Sequence, residues 1–105
     1  EEIEAVLRLH PAVIDAAVVP VEDDIWGEEV KAYVQIEAME SVDPQALAEF
    51  CRDRLARFKI PRFIELRTTP FPRTPSQRIR KSELRVDGRH LTSSAWDREN
   101  SGDRP

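Results

Sequence analysis

Closely spaced cations between residues 73 and 81 are the part of this sequence most suited to chemistry. The run reads Arg73-Thr74-Pro75-Ser76-Gln77-Arg78-Ile79-Arg80-Lys81. Because proline fixes its own φ, Pro72 and Pro75 stiffen the approach to these cations. A basic loop held in this way can bind phosphate or carboxylate charge. We call residues 73–81 the basic loop.

The charge of the chain is divided unevenly along its length. The formal net charge is -4 over 105 residues. Residues 1–51 hold two basic and thirteen acidic side chains, whereas residues 52–105 hold fourteen basic and seven acidic ones. The basic half contains the basic loop, so anionic small molecules and nucleic acid are both admissible partners.

Composition and length limit the classes of protein to which the chain can belong. A hydrophobic fraction of 40% beside 34% charged residues is typical of an ordinary soluble domain with one small core. No apolar run is long enough to span a membrane. The single cysteine, Cys51, excludes an internal disulfide and favours a cytoplasmic location. Since the sequence begins with Glu1 and enters a helical pattern at once, we expect a fragment of a longer protein.

The hydrophobic pattern predicts an α+β domain with a three-stranded sheet covered by helices. The predicted strands span residues 15–21, 29–37 and 62–68. Helices are predicted over residues 1–9 and 43–58, and the second begins with Asp43 as N-cap and Pro44 in the first turn. We expect one domain over residues 1–86.

Each predicted element has an expected buried face. On the middle strand the expected core residues are Val30, Ala32, Val34 and Ile36, and the expected partly wet residues are Glu29, Lys31, Tyr33, Gln35 and Glu37. On the second helix the apolar stripe is Leu47, Phe50, Cys51, Leu55 and Phe58. Cys51 is therefore predicted to be a core residue rather than a nucleophile.

The other segments are predicted to be less regular. Residues 21–27 are acidic and end in a glycine, which indicates a loop. Residues 79–85 can form a short helix. Residues 87–105 are polar and predict a mobile tail, which Trp96 could attach to the domain.

Five pieces of the sequence lie in the same order and spacing as in a known family. They are Glu2-Ile3-Glu4-Ala5-Val6-Leu7 with His10-Pro11-Ala12-Val13, Ala16-Ala17-Val18-Val19, Trp26-Gly27-Glu28-Glu29-Val30-Lys31-Ala32-Tyr33-Val34, Phe58-Lys59-Ile60-Pro61, and Pro72-Arg73-Thr74-Pro75-Ser76 with Ile79 and Leu84. Over residues 1–86 the chain thus resembles the C-terminal domain of the AMP-forming adenylating enzymes. Within that superfamily the chain resembles the crotonobetaine/carnitine-CoA ligase-like acid–CoA ligases at Phe50-Cys51, Phe58-Lys59-Ile60-Pro61-Arg62-Phe63, Glu65-Leu66-Arg67-Thr68 and Trp96-Asp97-Arg98-Glu99.

The resemblance implies a reaction and a set of partners. Such enzymes condense a carboxylic acid with Mg-ATP into an acyl-adenylate and then, after the C-terminal domain rotates, transfer the acyl group to CoA. A large N-terminal domain, which would precede Glu1, holds the Mg²⁺, the ATP and the acyl group. This chain would supply a mobile lid and the basic loop, and it would be inactive alone. The resemblance implies neither a nucleic-acid partner nor a membrane-spanning segment.

The resemblance also implies site residues, and the sequence departs from the family at the main one. The family usually carries Gly-Lys after Pro-Arg-Thr-x-Ser, and its lysine bridges the substrate carboxylate and the α-phosphate; here Gln77-Arg78 stand instead. Arginine keeps the charge but places its donors differently, and glutamine restricts the backbone if φ there is positive. Three interpretations stay open: Arg78 does the work of the lysine, Lys81 reaches in instead, or adenylation is impaired.

Further candidates carry alternative interpretations. Trp26, Gly27 and Arg73 are implied to contribute to cofactor binding, although Trp26-Gly27 also fits a structural corner before a strand. His10 is interpreted as a loop residue, and one cysteine with two distant histidines predicts no metal site. The arginines at positions 52, 54 and 57 form either a solvated helix face or a docking surface for the larger domain.

Two other functions are alternatives to the interpretation as a ligase domain. A small α+β module could bind nucleic acid through its cations, but the strands lack exposed aromatic pairs for base stacking and the total charge is negative. A non-catalytic docking remnant of a ligase is the second alternative.

Overall fold

The computed structural model describes residues 2–23, 27–39, 41–81 and 96–98, and these residues form a mixed four-stranded sheet and two α-helices. In chain order the elements are α1 (Glu2–Arg8), β1 (Val13–Asp23), β2 (Gly27–Ile36), α2 (Pro44–Arg52), a 3₁₀ helix (Arg57–Lys59), β3 (Phe63–Arg67) and β4 (Trp96–Asp97). The α+β class predicted from the sequence is confirmed. None of the described helices combines the length and the apolar character needed to cross a bilayer.

The strands lie in the order β1-β2-β3-β4. The β1–β2 and β3–β4 pairs are antiparallel, whereas β2 and β3 run parallel and are joined through α2. The prediction of three strands was wrong, because Trp96 and Asp97 of the predicted tail pair with β3. Arg62 fixes this short strand, since its Nε donates to Asp97 Oδ1 at 3.2 Å and its carbonyl accepts from the Arg98 N–H at 2.7 Å. Two residues are too few to show a strand pattern in a sequence.

One face of the sheet packs against α1 and α2 and forms the main core. The buried residues there are Leu7, Ala16, Ala32, Val34, Ile36, Leu47, Ala48, Cys51, Leu55, Ile60 and Ile64. Asp43 caps α2 as predicted, because its carboxylate accepts from the Ala46 N–H at 2.9 Å. Cys51 is confirmed as a core residue, and burial raises the pKa of its thiol to about 11. A thiol with that pKa stays protonated and inert.

The second helix is shorter than predicted. It ends at Arg52, and the 3₁₀ helix that follows turns Phe58 out to an exposure of 79%. The prediction that Phe58 belongs to the core was therefore wrong, since it assumed a continuous helical stripe. Arg54 lies beside the end of the helix, where its guanidinium donates to the Phe50 carbonyl at 2.9 Å and sits 3.8 Å from the centre of the Phe50 ring.

The other face of the sheet is also covered. Ala17, Val19, Tyr33 and Phe71 form a second buried cluster, with Val21 and Ile79 packed against it. The prediction that Lys31 and Tyr33 are partly wet was wrong, because both side chains are buried. Burial lowers the pKa of Lys31, and the Glu65 carboxylate 3.0 Å from its Nζ opposes that shift. The alternation of residues within β2 cannot show that the segment around Phe71, which follows much later in the chain, will cover the second face of the sheet.

Candidate functional site

The basic loop folds into a tight hairpin on this second face of the sheet. Arg73 and Ile79 form an antiparallel bridge at its base. Thr74 holds the backbone of Arg78 on both sides, because its N–H donates to the Arg78 carbonyl at 2.7 Å and its Oγ1 accepts from the Arg78 N–H at 3.1 Å. The Gln77 N–H donates to the Thr74 carbonyl at 2.8 Å and closes the turn. The backbone position of Arg78 is therefore fixed by local contacts.

Gln77 adopts a left-handed backbone conformation, with φ at 71°, and it is the non-glycine residue with a positive φ among those described. This conformation costs an L-residue about 1–2 kcal/mol, which is why glycine is the usual choice. The Gln77 carbonyl accepts from the Arg73 guanidinium at 2.9 Å, so the turn is held from both ends of the residue. The chain thus keeps a glycine-type turn without the glycine.

The Arg78 side chain is exposed and faces no carboxylate. Its guanidinium makes no hydrogen bond or ion pair with the residues in ranges 2–23, 27–39, 41–81 and 96–98. A cation on a fixed backbone, with its donors unused inside the described domain, is able to accept an external anion.

Lys81 is engaged within the domain instead. Its Nζ lies 2.5 Å from Glu4 Oε2 of α1, and Glu4 is only 6% exposed. Burial alone would raise the pKa of Glu4, but hydrogen bonds from Lys81 and from the Val18 N–H outweigh it and lower that pKa. Lys81 therefore ties the far end of the basic loop to the first helix.

Arg73 is engaged as well. Its guanidinium pairs with the Asp15 carboxylate at the start of β1 while also reaching the Gln77 carbonyl. Asp15 accepts further hydrogen bonds from Arg8 Nε at 2.9 Å and from the Ala16 N–H at 2.8 Å. Burial opposes ionisation of Asp15, yet these donors lower its pKa. The cofactor contact expected for Arg73 stays a prediction.

The structure does not gather all the predicted site residues in one place. Trp26 lies outside the described residues, and Gly27 is the first residue of β2. A cleft of about 460 Å³ opens between α1 and the β1–β2 pair. It is lined by Ile3, Val18, Val19, Pro20, Glu28, Glu29, Val30 and Lys81. Of the predicted site residues that the structure describes, Lys81 contributes to the lining and Arg78 lies outside it.

Sequence reasoning missed the two carboxylates that anchor the basic loop, Asp15 and Glu4. One signal was present for Glu4, which lies one helical turn from Arg8 and shares a face with the core residue Leu7. No local signal marked Asp15, because its partner Arg73 is distant in the chain. In the described part of the molecule no three metal-ligating side chains cluster.

The fold and the basic hairpin identify the class of this domain. The chain belongs to the AMP-binding enzyme C-terminal domain family, whose model matches residues 2–78. A relative, the putative acyl-CoA synthetase YngI of Bacillus subtilis (strain 168), is 43% identical over 84 residues, which cover 80% of this chain and 15% of that protein. The crotonobetaine/carnitine–CoA ligase of Salmonella paratyphi B is 34% identical over 84 residues, covering 80% of this chain and 16% of that one.

A solved structure agrees with these relatives. The fatty acyl CoA synthetase of Mycobacterium tuberculosis superposes with a TM-score of 0.75 at 36% identity, covering 82% of this chain and 17% of that chain. The resemblance to acyl-CoA synthetases is thereby confirmed. Because YngI is more similar than the crotonobetaine/carnitine ligase, identity over this domain does not single out one branch. The chain spans about 15% of the length of YngI, a small part of a larger ligase.

Proposed function

We propose that this chain is the lid of an AMP-forming acid–CoA ligase in which Arg78 neutralises the charge between the substrate carboxylate and the α-phosphate of ATP. The observation that supports it is the exposed Arg78 guanidinium, whose backbone is held by Thr74 and which has no partner in the described domain. A fixed cation of this kind needs little reorganisation when it meets the reacting anions.

The charge argument has a definite size. Two unit charges 4 Å apart repel by about 1 kcal/mol in bulk water and by about 4 kcal/mol at the effective dielectric constant of a protein surface. A lid that excludes water therefore raises the repulsion between carboxylate and phosphate, and a cation between them offsets it. The guanidinium fork can donate to both anions at once, whereas an ammonium acts as a point charge.

The rest of the proposed ligase comes from a large N-terminal domain. That domain would hold the carboxylic acid, the ATP and the Mg²⁺, since the described residues of this chain offer no cluster of metal ligands. CoA would take up the acyl group after the lid rotates, with Trp26 and Gly27 as the proposed contacts, and Arg73 is a further proposed cofactor contact. A cytoplasmic location completes the proposal, supported by the single cysteine, Cys51, which leaves no internal disulfide to form.

The competing interpretations draw less support from the site. Lys81 would have to leave the Glu4 carboxylate before it could reach a substrate. Nucleic-acid binding through stacked bases draws no support from Tyr33 and Phe71, because both rings are buried. The docking remnant predicts a full-length protein without adenylation activity, which the next experiment examines directly.

The test is ATP–pyrophosphate exchange by the full-length enzyme and its Arg78→Ala, Arg78→Lys and Arg57→Ala variants. Straight-chain carboxylic acids are screened with the parent, and the acid with the fastest exchange is used throughout. We expect Arg78→Ala to slow exchange by about 10²–10³-fold, as loss of a preorganised donor does, and Arg78→Lys to retain part of the rate. Arg57→Ala removes an equal charge outside the basic loop, on the face that could dock the larger domain, so a loss of exchange confined to Arg78→Ala is specific to the basic loop.

Two results would contradict the proposal. If Arg78→Ala exchanges as fast as the parent, the guanidinium has no role in adenylation. If the parent itself shows no exchange with any acid, the remnant interpretation is favoured.

A further inference from the structure

The hairpin that carries Arg78 is anchored to the first helix and strand by buried or half-buried carboxylates. Asp15 pairs with Arg73 where the basic loop begins, and Glu4 pairs with Lys81 where it ends. The first of these contacts reaches Gln77, the residue before Arg78, because the Arg73 guanidinium also donates to the Gln77 carbonyl at 2.9 Å.

Asp15 is suited to hold that arginine in one orientation. Its side chain is 15% exposed, and it accepts from Arg8 Nε of α1 and from the Ala16 N–H of its own strand in addition to Arg73, so several donors fix its rotamer. The ladder between β1 and β2 shifts register between Val13 and Asp15. Such an irregularity re-aims the side chain that follows it.

From this chain of contacts we infer that Asp15 is a positioning residue for adenylation, acting through Arg73 and the Gln77 carbonyl to fix the place of Arg78. The inference rests on the proposed role of Arg78 and adds to it a residue distant from the loop. Without the carboxylate, Arg73 loses its ion pair and the left-handed turn at Gln77 loses one of the contacts that hold it.

A displaced cation slows a reaction that depends on its position. Misplacement of a catalytic group by about 1 Å can cost about a hundredfold in rate, so we expect Asp15→Asn to slow ATP–pyrophosphate exchange by about 10–100-fold. The effect should fall on kcat, because Asp15 touches no substrate, while the KM for ATP stays near that of the parent. Asp15→Glu should recover part of the rate, since it keeps the charge.

The chain supplies a matched control in Arg8. This residue makes the other ion pair of Asp15, at 2.9 Å, and a longer one, at 3.9 Å, with Glu4, but among the described residues it makes no hydrogen bond or ion pair with the basic loop itself. Arg8→Gln therefore removes a comparable interaction from the same carboxylate. It should slow exchange clearly less than Asp15→Asn, because the Asp15–Arg73 pair remains, whereas Arg73→Gln should slow exchange as Asp15→Asn does, and the double variant Asp15→Asn/Arg73→Gln should slow it no further.

The experiment measures both half-reactions of the full-length enzyme for these variants and for Arg78→Ala. Exchange reports adenylation, and transfer from the preformed acyl-adenylate to CoA reports thioester formation. We expect Asp15→Asn to lose exchange and to keep the second half-reaction. A loss of both half-reactions, or equal losses for Asp15→Asn and Arg8→Gln, would mean that Asp15 only stabilises the fold and would overturn the inference.

The inference and the proposed function fail in different ways. If Arg78→Ala is slow while Asp15→Asn matches the parent, the role of Asp15 is refuted and that of Arg78 survives. If Arg78→Ala matches the parent, the proposed function itself fails, whatever Asp15→Asn does, and the inference falls with it.

Discussion

Replacing Gln77 by glycine should stabilise this domain, although glycine usually destabilises a protein. Gln77 has φ at 71°, which costs an L-residue about 1–2 kcal/mol. Glycine removes that cost but adds about 0.5–1 kcal/mol of backbone entropy to be lost on folding. The net expectation is an increase of roughly 0.5–1 kcal/mol in the free energy of unfolding.

A series at this position and one control elsewhere make the expectation sharp. Gln77→Val should lower the free energy of unfolding, because a β-branched residue fits the left-handed region worst. Thr68→Gly is the control, since Thr68 is exposed, has a negative or extended φ and makes no side-chain hydrogen bond in the described domain. It should destabilise the chain by about 0.5–1 kcal/mol, the entropic cost alone.

Urea denaturation of the 105-residue chain, followed by tryptophan fluorescence, measures these differences. With a slope of about 1–2 kcal/mol/M for a small domain, a change of 1 kcal/mol moves the midpoint by about 0.5–1 M. Gln77→Gly should move the midpoint up and Thr68→Gly should move it down, with the slope unchanged. Should both glycine variants lower the midpoint equally, Gln77 is not left-handed in solution and the account of this turn is wrong.

Three further predictions concern the buried ion pair, the acid range and the short fourth strand. Glu65→Gln leaves the Lys31 ammonium buried without its partner and should lower the free energy of unfolding by about 3 kcal/mol. Lys31→Met should lower it less, because the Glu65 carboxylate is partly exposed to solvent. Urea denaturation at pH 7 compares the two variants. The pKa of Asp15 is lowered by folding, so its contribution to stability is present above its ordinary value of 3.8 and is lost as pH falls through the folded value. As the pH is lowered from 5 through the folded pKa of Asp15, the free energy of unfolding of Asp15→Asn should therefore fall less than that of the parent. An equal fall would contradict this prediction. Trp96→Ala should lower the free energy of unfolding by about 2 kcal/mol, since a half-buried indole contacts the main core, and no change would mean that β4 adds nothing.

The elements that the sequence predicted well are those whose signals are local. Asp43 and Pro44 fixed the start of α2 because an N-cap acts within one turn. The alternation from Val30 to Ile36 marked β2 because Ala32, Val34 and Ile36 meet the main core, although Val30 is only half-buried and lines the cleft. The end of α2 was missed, since Phe58 kept the helical spacing while the chain had already turned.

The second face of the sheet shows why other predictions failed. Lys31 and Tyr33 looked solvated because they alternate with core residues, but Phe71 closes over that face from the segment before the basic loop. Trp96 joined the sheet through two residues that carry no strand pattern. Both outcomes depend on contacts between segments that are far apart in the chain.

By itself the sequence determined the place and kind of the candidate site, because proline, threonine and closely spaced arginines shape a turn through their own backbone and side-chain chemistry. Which cation of that turn stays available was decided by tertiary structure. Asp15 and Glu4 occupy Arg73 and Lys81 from the opposite end of the chain, while Arg78 faces no carboxylate in the described domain. A carboxylate forms an ion pair with a cation only when folding brings the two within hydrogen-bonding distance. The spacing of residues along the chain does not predict which distant residues will come that close.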